Sequence, residues 1–81
     1  MDKENEIHGK LAQIIRDHRK KSGLNQLELA QLAGIGKTQV FDLEHGKKTV
    51  QINTLFKVLK VLNIKINFSS PLLSGTERNT R

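Results

Sequence analysis

Cysteine is absent from the 81-residue sequence, which excludes a disulfide framework and any thiolate metal site and fits a reducing compartment. Tryptophan and tyrosine are also absent, and the aromatic residues are Phe41, Phe56 and Phe68 alone. The core therefore has to be thin and built from Leu, Ile and Val. The single proline, Pro71, stands near the C-terminal end, where with Leu72 and Leu73 it closes the ordered part. No apolar run approaches the roughly 18 residues that span a bilayer, and the opening MDKENEIHGK has no apolar segment of the signal-peptide kind. A soluble, cytoplasmic chain is expected.

The motifs of common catalytic sites are missing as well. There is no GxSxG and no HExxH, and Gly34-Ile35-Gly36-Lys37-Thr38 lacks both the spacing of a phosphate loop and a preceding strand. His8, His18 and His45 stand apart, without a partner carboxylate at fixed spacing. No enzyme, no metal site and no cofactor is expected. What the chain has in excess is positive charge. Fourteen Lys and Arg against eight Asp and Glu give a net charge of +6, which suits a polyanion, nucleic acid before anionic lipid. No helix pairs a broad apolar face with a continuous basic face, so a membrane-surface role is excluded. A single module of this size is marginal alone, which favours association with a second copy.

Along the chain, residues 1–9 are polar and read as a frayed leader. From Lys10 an apolar stripe of Leu11, Ile14, Ile15 and His18 predicts a basic helix, stopped at Ser22-Gly23. His18, on that stripe, is expected to pack as a neutral histidine. Asn25 followed by Glu28 is a capping box and opens a second helix over 26–33. Gly34-Ile35-Gly36 is a tight turn into a third helix over 37–44, closed by His45-Gly46. Ile52, Leu55, Phe56, Leu59 and Leu62 recur at helical spacing and predict a fourth helix over 52–62. The period then changes to two, with Ile64, Ile66 and Phe68 alternating with polar residues, which predicts a half-buried strand. In a helical chain such a strand has no partner of its own. From 71 to 81 the chain reads as a flexible tail.

Two short helices joined by a glycine turn after a basic helix outline a helix-turn-helix. The string of Arg19, Gly23, Leu24, Asn25, Gln26, Leu29, Ala30, Gly34, Ile35, Val40, Glu44 and Gly46 at these offsets closely resembles the XRE family of phage-repressor-type regulators over about residues 10–64. The resemblance implies a mainly α, lambda-repressor-like bundle of four to five helices with DNA as its ligand. It assigns Gln26 to a backbone phosphate and the start of the third helix to base edges. Lys37, Thr38 and Gln39 are the candidates there, since lysine suits guanine, glutamine suits adenine, and threonine offers a hydroxyl and a methyl. For Phe41, on the same stripe, two outcomes stay open: contact with a thymine methyl, or packing against neighbouring helices. Asp42 is expected to be a plain surface carboxylate. Lys47 and Lys48 follow the third helix where the family contacts phosphate, and Arg19 and Glu44 are implied as a structural ion pair.

Residues 51–68 look like the C-terminal half of HipB-type antitoxins. That resemblance implies a 10–63 DNA-binding domain and a 64–70 dimerisation strand, in which Ile64, Ile66 and Phe68 pair with a second copy. It also implies a palindromic operator, autorepression and binding of a HipA-type serine/threonine kinase toxin in a nucleoid-associated complex. A stand-alone repressor without a toxin is the alternative. Gly36 departs from the family, which often has Ser, Thr or Lys at that cap.

Overall fold

The structure is a computed structural model that describes residues 3–72. Four helices are present among the described residues: α1 (Lys3–Lys21), α2 (Gln26–Ala33), α3 (Lys37–Glu44) and α4 (Ile52–Val61). α3 packs on each of the other three, and α2 also packs on α4. Eight-residue helices such as α2 and α3 are too short to be stable alone in water, so packing decides where they lie. Ile15, Leu29, Val40 and Val58 are fully buried at the meeting point, one from each helix, and Ala30, Leu43, Leu59 and Leu62 complete the cluster.

The chain uses one device to end all four helices. Just past each helix an N–H bonds to a carbonyl five residues back: Leu24 to Arg19 at 3.2 Å, Ile35 to Ala30 at 3.0 Å, Lys47 to Asp42 at 3.0 Å and Ile64 to Leu59 at 2.9 Å. This closure needs a left-handed residue before it, the conformation glycine adopts without steric cost. Gly23, Gly34 and Gly46 fill that place, and Asn63 does so after α4 at φ 59°. At the other end of α2, Asn25 and Glu28 exchange two bonds of 2.8 Å, side chain to backbone in each direction.

Three expectations are corrected. α1 begins at Lys3, so most of the stretch read as a leader is helical. Its polar sequence concealed two helix-favouring features: an acidic residue, Glu6, near the positive end of the helix dipole, and a Glu6-to-Lys10 spacing of four. Tertiary packing adds a third, since a Cβ placed on Gly46 would lie 3.6 Å from the His8 carbonyl oxygen. The inward stripe of α1 is Ala12, Ile15 and Arg19, with Leu11 at its edge, whereas Ile14 is 40% exposed and His18 lies in solvent. His18 Nδ1 sits 2.8 Å from the carbonyl oxygen of Ile14 one turn back. On α4, Thr54, Val58 and Leu59 face the core, while Ile52 and Phe56 point outward, 66% and 49% exposed.

Residues 64–70 take no β-ladder within the described residues. Ile64 rests on the core edge, and Ile66 and Phe68 are exposed. With Phe56, Leu59 and Lys60 they line an open groove. The expected tail from 73 onward lies outside the described residues.

Because Ile15 is wholly buried, Ile15→Ala leaves a cavity and should cost about 2–5 kcal/mol. That is comparable to the whole reserve of a domain this small. Urea denaturation followed by circular dichroism should show the transition move to a much lower midpoint or disappear.

Candidate nucleic-acid interface

Glu44 ends α3 and is only 2% exposed, and a carboxylate taken that far from water requires charged partners and hydrogen bonds. Arg19 supplies them in a fork, Nε donating to Oε2 at 2.5 Å and Nη2 to Oε1 at 2.9 Å. Its third donor group, Nη1, reaches the carbonyl of Leu24 at 2.9 Å. Gln26 Nε2 donates to Glu44 Oε1 at 3.1 Å, and Arg16 Nη1 donates to the Glu44 carbonyl at 3.2 Å. Burial alone would push the Glu44 carboxyl up. The hydrogen bonds from Arg19 and Gln26, with the charges of Arg19 and Arg16, outweigh it and hold the group below the usual carboxylate range. The bond to Glu44 likewise raises Arg19 against the opposing effect of burial.

This network decides where α2 starts relative to α3. Arg19, Asn25, Gln26, Leu27 and Lys37 line one open recess, so Gln26 and Lys37, far apart in sequence, face the same space. Gln26 spends one amide donor on Glu44 and has a second on the same nitrogen. Leu27, 49% exposed at this recess, carried no sequence signal beyond its place after Gln26.

Val40, Leu43 and Glu44 form the inward side of α3. Thr38, Phe41 and His45, three and four residues apart, form an exposed ridge away from that side, and Lys37, also exposed, stands one turn before Phe41. Gln39 departs from the expectation of a free amide. Its Oε1 accepts the Gly36 N–H at 3.0 Å and its Nε2 reaches Thr54 Oγ1 at 3.4 Å. Gln39 supplies the third-position half of a capping box, and Gly36, having no side chain, leaves the other half unmade. A Gln three residues after a cap is itself a sequence signal. Phe41 is 47% exposed and its ring stacks on His45, with ring centres 3.8 Å apart and 20° between planes. His45 was not singled out in the sequence, although an aromatic pair four apart on one helix marks it.

Lys47 Nζ is paired with Asp42 Oδ2 at 3.4 Å on the surface. It shares a polar recess with Gln39, Gln51 and Thr54 along the side of α3. Lys48 is also exposed but flanks a different recess, beside His8 and Leu11 of α1. Thus Gln26 and Lys37 are brought together, Gln39 and Lys47 are brought together, and Lys47 also borders the recess that Lys48 flanks, so it links the two. No group of His, Asp or Glu among the described residues is arranged to hold a metal, and no described helix is long and apolar enough to cross a membrane.

A buried clamp that fixes two short helices, with a solvent-facing ridge on the second, defines a helix-turn-helix DNA-binding module. Residues 15–68 match the helix-turn-helix family model, and the chain belongs to that family in its XRE-type form. It is 41% identical over 58 residues to the HTH-type transcriptional regulator y4mF of Sinorhizobium fredii, covering 72% of this chain and 76% of that one. It is 30% identical over 56 residues to the control protein C.SmaI of Serratia marcescens, covering 69% and 67%. Among solved structures, a chain of a HipA-HipB-O2-O3 complex superposes with a TM-score of 0.72 at 25% identity, covering 79% of this chain and 90% of that one. The protein is a DNA-binding transcriptional regulator and not an enzyme.

Glu44 yields two linked predictions. Its folded-state affinity for protons is lowered, so the stability it confers is full above the unfolded-state value near 4.5 and is lost as pH falls through the lower folded value. Glu44→Gln should remove that acid-side loss. It should also cost about 3–5 kcal/mol near neutrality, because Arg19 is left buried without its counter-charge. Thermal melts of both proteins between pH 7 and pH 3 check this: the two curves should converge at the acid end.

Proposed function

We propose that this chain is a dimeric repressor of a palindromic operator that serves as the antitoxin of a HipBA-like module. In this reading it represses its own operon and binds a HipA-type serine/threonine kinase toxin in the cytoplasm. The observation that carries the DNA reading is the α3 ridge of Lys37, Thr38 and Phe41, presented opposite a buried face and flanked by the Gln26 recess. Lys37 and Thr38 take base edges, and Gln39, engaged at the helix start, positions them. Gln26 takes a phosphate with its second amide donor. Lys47 takes another by exchanging Asp42 for it, and Lys48 contributes charge from the α1 side. The likeness to a chain of the HipA-HipB-O2-O3 complex over 90% of that chain supports the antitoxin part. The exposed Ile66 and Phe68 support pairing with a second copy. A stand-alone repressor is favoured instead by the named regulators and control proteins among the relatives. Co-purification with the product of an adjoining kinase-like gene separates the two: recovery of a complex supports the antitoxin, and its failure at micromolar concentrations supports the stand-alone repressor.

On the operator, Lys37→Ala or Thr38→Ala should cost about 1–3 kcal/mol, with little change on random duplex. Lys47→Ala should weaken binding to every duplex and flatten the slope of log K against log salt by about one. Fluorescence anisotropy at several salt concentrations measures both, and equal losses for Lys37→Ala on both duplexes would reassign Lys37 to phosphate.

For the dimer, Ile66→Pro removes an N–H and fixes φ, and so breaks a ladder formed by residues 64–68. Sedimentation should show a monomer that keeps its helical circular dichroism and loses tight operator binding. A dimer with full operator affinity would exclude the intermolecular sheet.

A further inference from the structure

We infer that Phe41 and His45 form a two-ring reader for the 5-methyl group of a pyrimidine, with Phe41 touching the methyl and His45 positioning Phe41; this rests on α3 being the groove helix. Phe41 lies midway along the outward ridge, one turn from both Lys37 and Thr38, and is 47% exposed. An aromatic ring held in water on a ridge gains by meeting an apolar group. Within a major groove of donors and acceptors, the apolar group is the thymine methyl.

The stack makes the contact specific. With ring centres at 3.8 Å and planes within 20°, His45 covers one face of Phe41 and leaves the opposite side to the groove. His45 is itself fixed, because its Nδ1 lies 2.8 Å from the Phe41 carbonyl oxygen. A carbonyl oxygen only accepts, so Nδ1 carries the proton and donates. The imidazole is thereby tied to the backbone of the residue whose ring it stacks on, and Phe41 loses the rotational freedom that an unsupported exposed phenylalanine would have. Less ordering is left to be done on binding. Lys37 and Thr38 supply polar contacts on the same ridge, so the ridge carries both hydrogen-bonding and methyl-sensing groups.

The test uses the full-length protein and a duplex selected from a random pool as its tightest binder. Each thymine is replaced in turn by deoxyuridine, which deletes the methyl and nothing else. Wild type should lose about fourfold in affinity at one thymine per half-site, which is what burying one methyl group yields. It should lose roughly fifteenfold when both half-sites are changed. Phe41→Ala should bind more weakly but equally to thymine and deoxyuridine duplexes, and 5-methylcytosine at that position should restore discrimination to wild type only. His45→Ala should lower the thymine-to-deoxyuridine ratio, and His45→Phe, which keeps the stack, should rescue it. Circular dichroism melts confirm that these exposed variants stay folded. If wild type binds its operator tightly and the deoxyuridine penalties are the same in Phe41→Ala, the methyl reader is wrong while the repressor stands. If wild type selects no duplex at all, the groove-helix reading fails and the methyl reader falls with it.

Discussion

The buried carboxylate of Glu44 is the constraint around which the molecule is arranged. A charge at 2% exposure cannot be left unpaired, and the groups that pair it come from two other helices. Arg19 and Arg16 belong to α1, and Gln26 opens α2. The end of α3, the last turns of α1 and the start of α2 are therefore fastened at one point. Desolvation offsets much of the Coulombic gain, so the pair adds little net stability over an apolar core of the same shape. Its effect is geometric: the donors on α1 and α2 converge on one residue of α3. The resulting position of Gln26 beside Lys37 is a consequence of core electrostatics reaching the surface.

The turns make that geometry stiff. Four residues join α1 to α2, three join α2 to α3, and each connection begins with a closure over a left-handed glycine. A Cβ at these glycines would meet no steric obstacle at Gly23 or Gly34, so the requirement there is purely one of backbone conformation. At Gly46 a Cβ would come into ordinary contact with the backbone of His8, at 3.6 Å, so the requirement there is again the left-handed backbone, and the early part of α1 lies beside the end of α3. A reading helix of eight residues gains its orientation from such closures rather than from its own helix propensity.

Signals that are local in sequence were legible. Asn25 with Glu28 gave the start of α2, Gly34 its end, and Gly36 with His45-Gly46 the bounds of α3. Signals carried by tertiary contacts were not. The α1 stripe read as Leu11, Ile14, Ile15 and His18 is rotated in the structure because Arg19, polar by type, is 8% exposed on account of Glu44. The start of α1 was missed because its polar residues are held by the helix ladder and by packing near Gly46, not by an apolar stripe. Of the candidate site, the exposure of Lys37 and Thr38 followed from helical spacing, while Phe41, open in the sequence between groove and core, is 47% exposed. The bond from Gly36 to Gln39 repeats the cap-to-third-position spacing of Asn25 and Glu28, whereas the contact of Gln39 with Thr54 is tertiary and has no local signal. The alternation at 64–68 predicts a strand, and residues 64–70 form no ladder among the described residues.

α4 divides its apolar residues between the core and the surface. Val58 and Leu59 face inward, while Ile52 and Phe56 face outward and continue into the groove that Ile66 and Phe68 border. The same helix therefore packs on α3 and carries the apolar surface that the proposed dimer would cover. Past α4 the chain turns once, at Asn63, and the Ile64 N–H locks that turn to the Leu59 carbonyl at 2.9 Å. In the proposed dimer the path from one α3 to the other runs through α4, this locked turn and the paired strands, with no flexible linker in it. A fixed path of that kind would set the separation of the two reading helices, and a set separation is what lets a dimer demand two half-sites at one spacing. Covering the apolar groove and setting the operator spacing are then one structural event, so folding, dimerisation and DNA recognition would be linked through the same few residues of α4 and the segment after it.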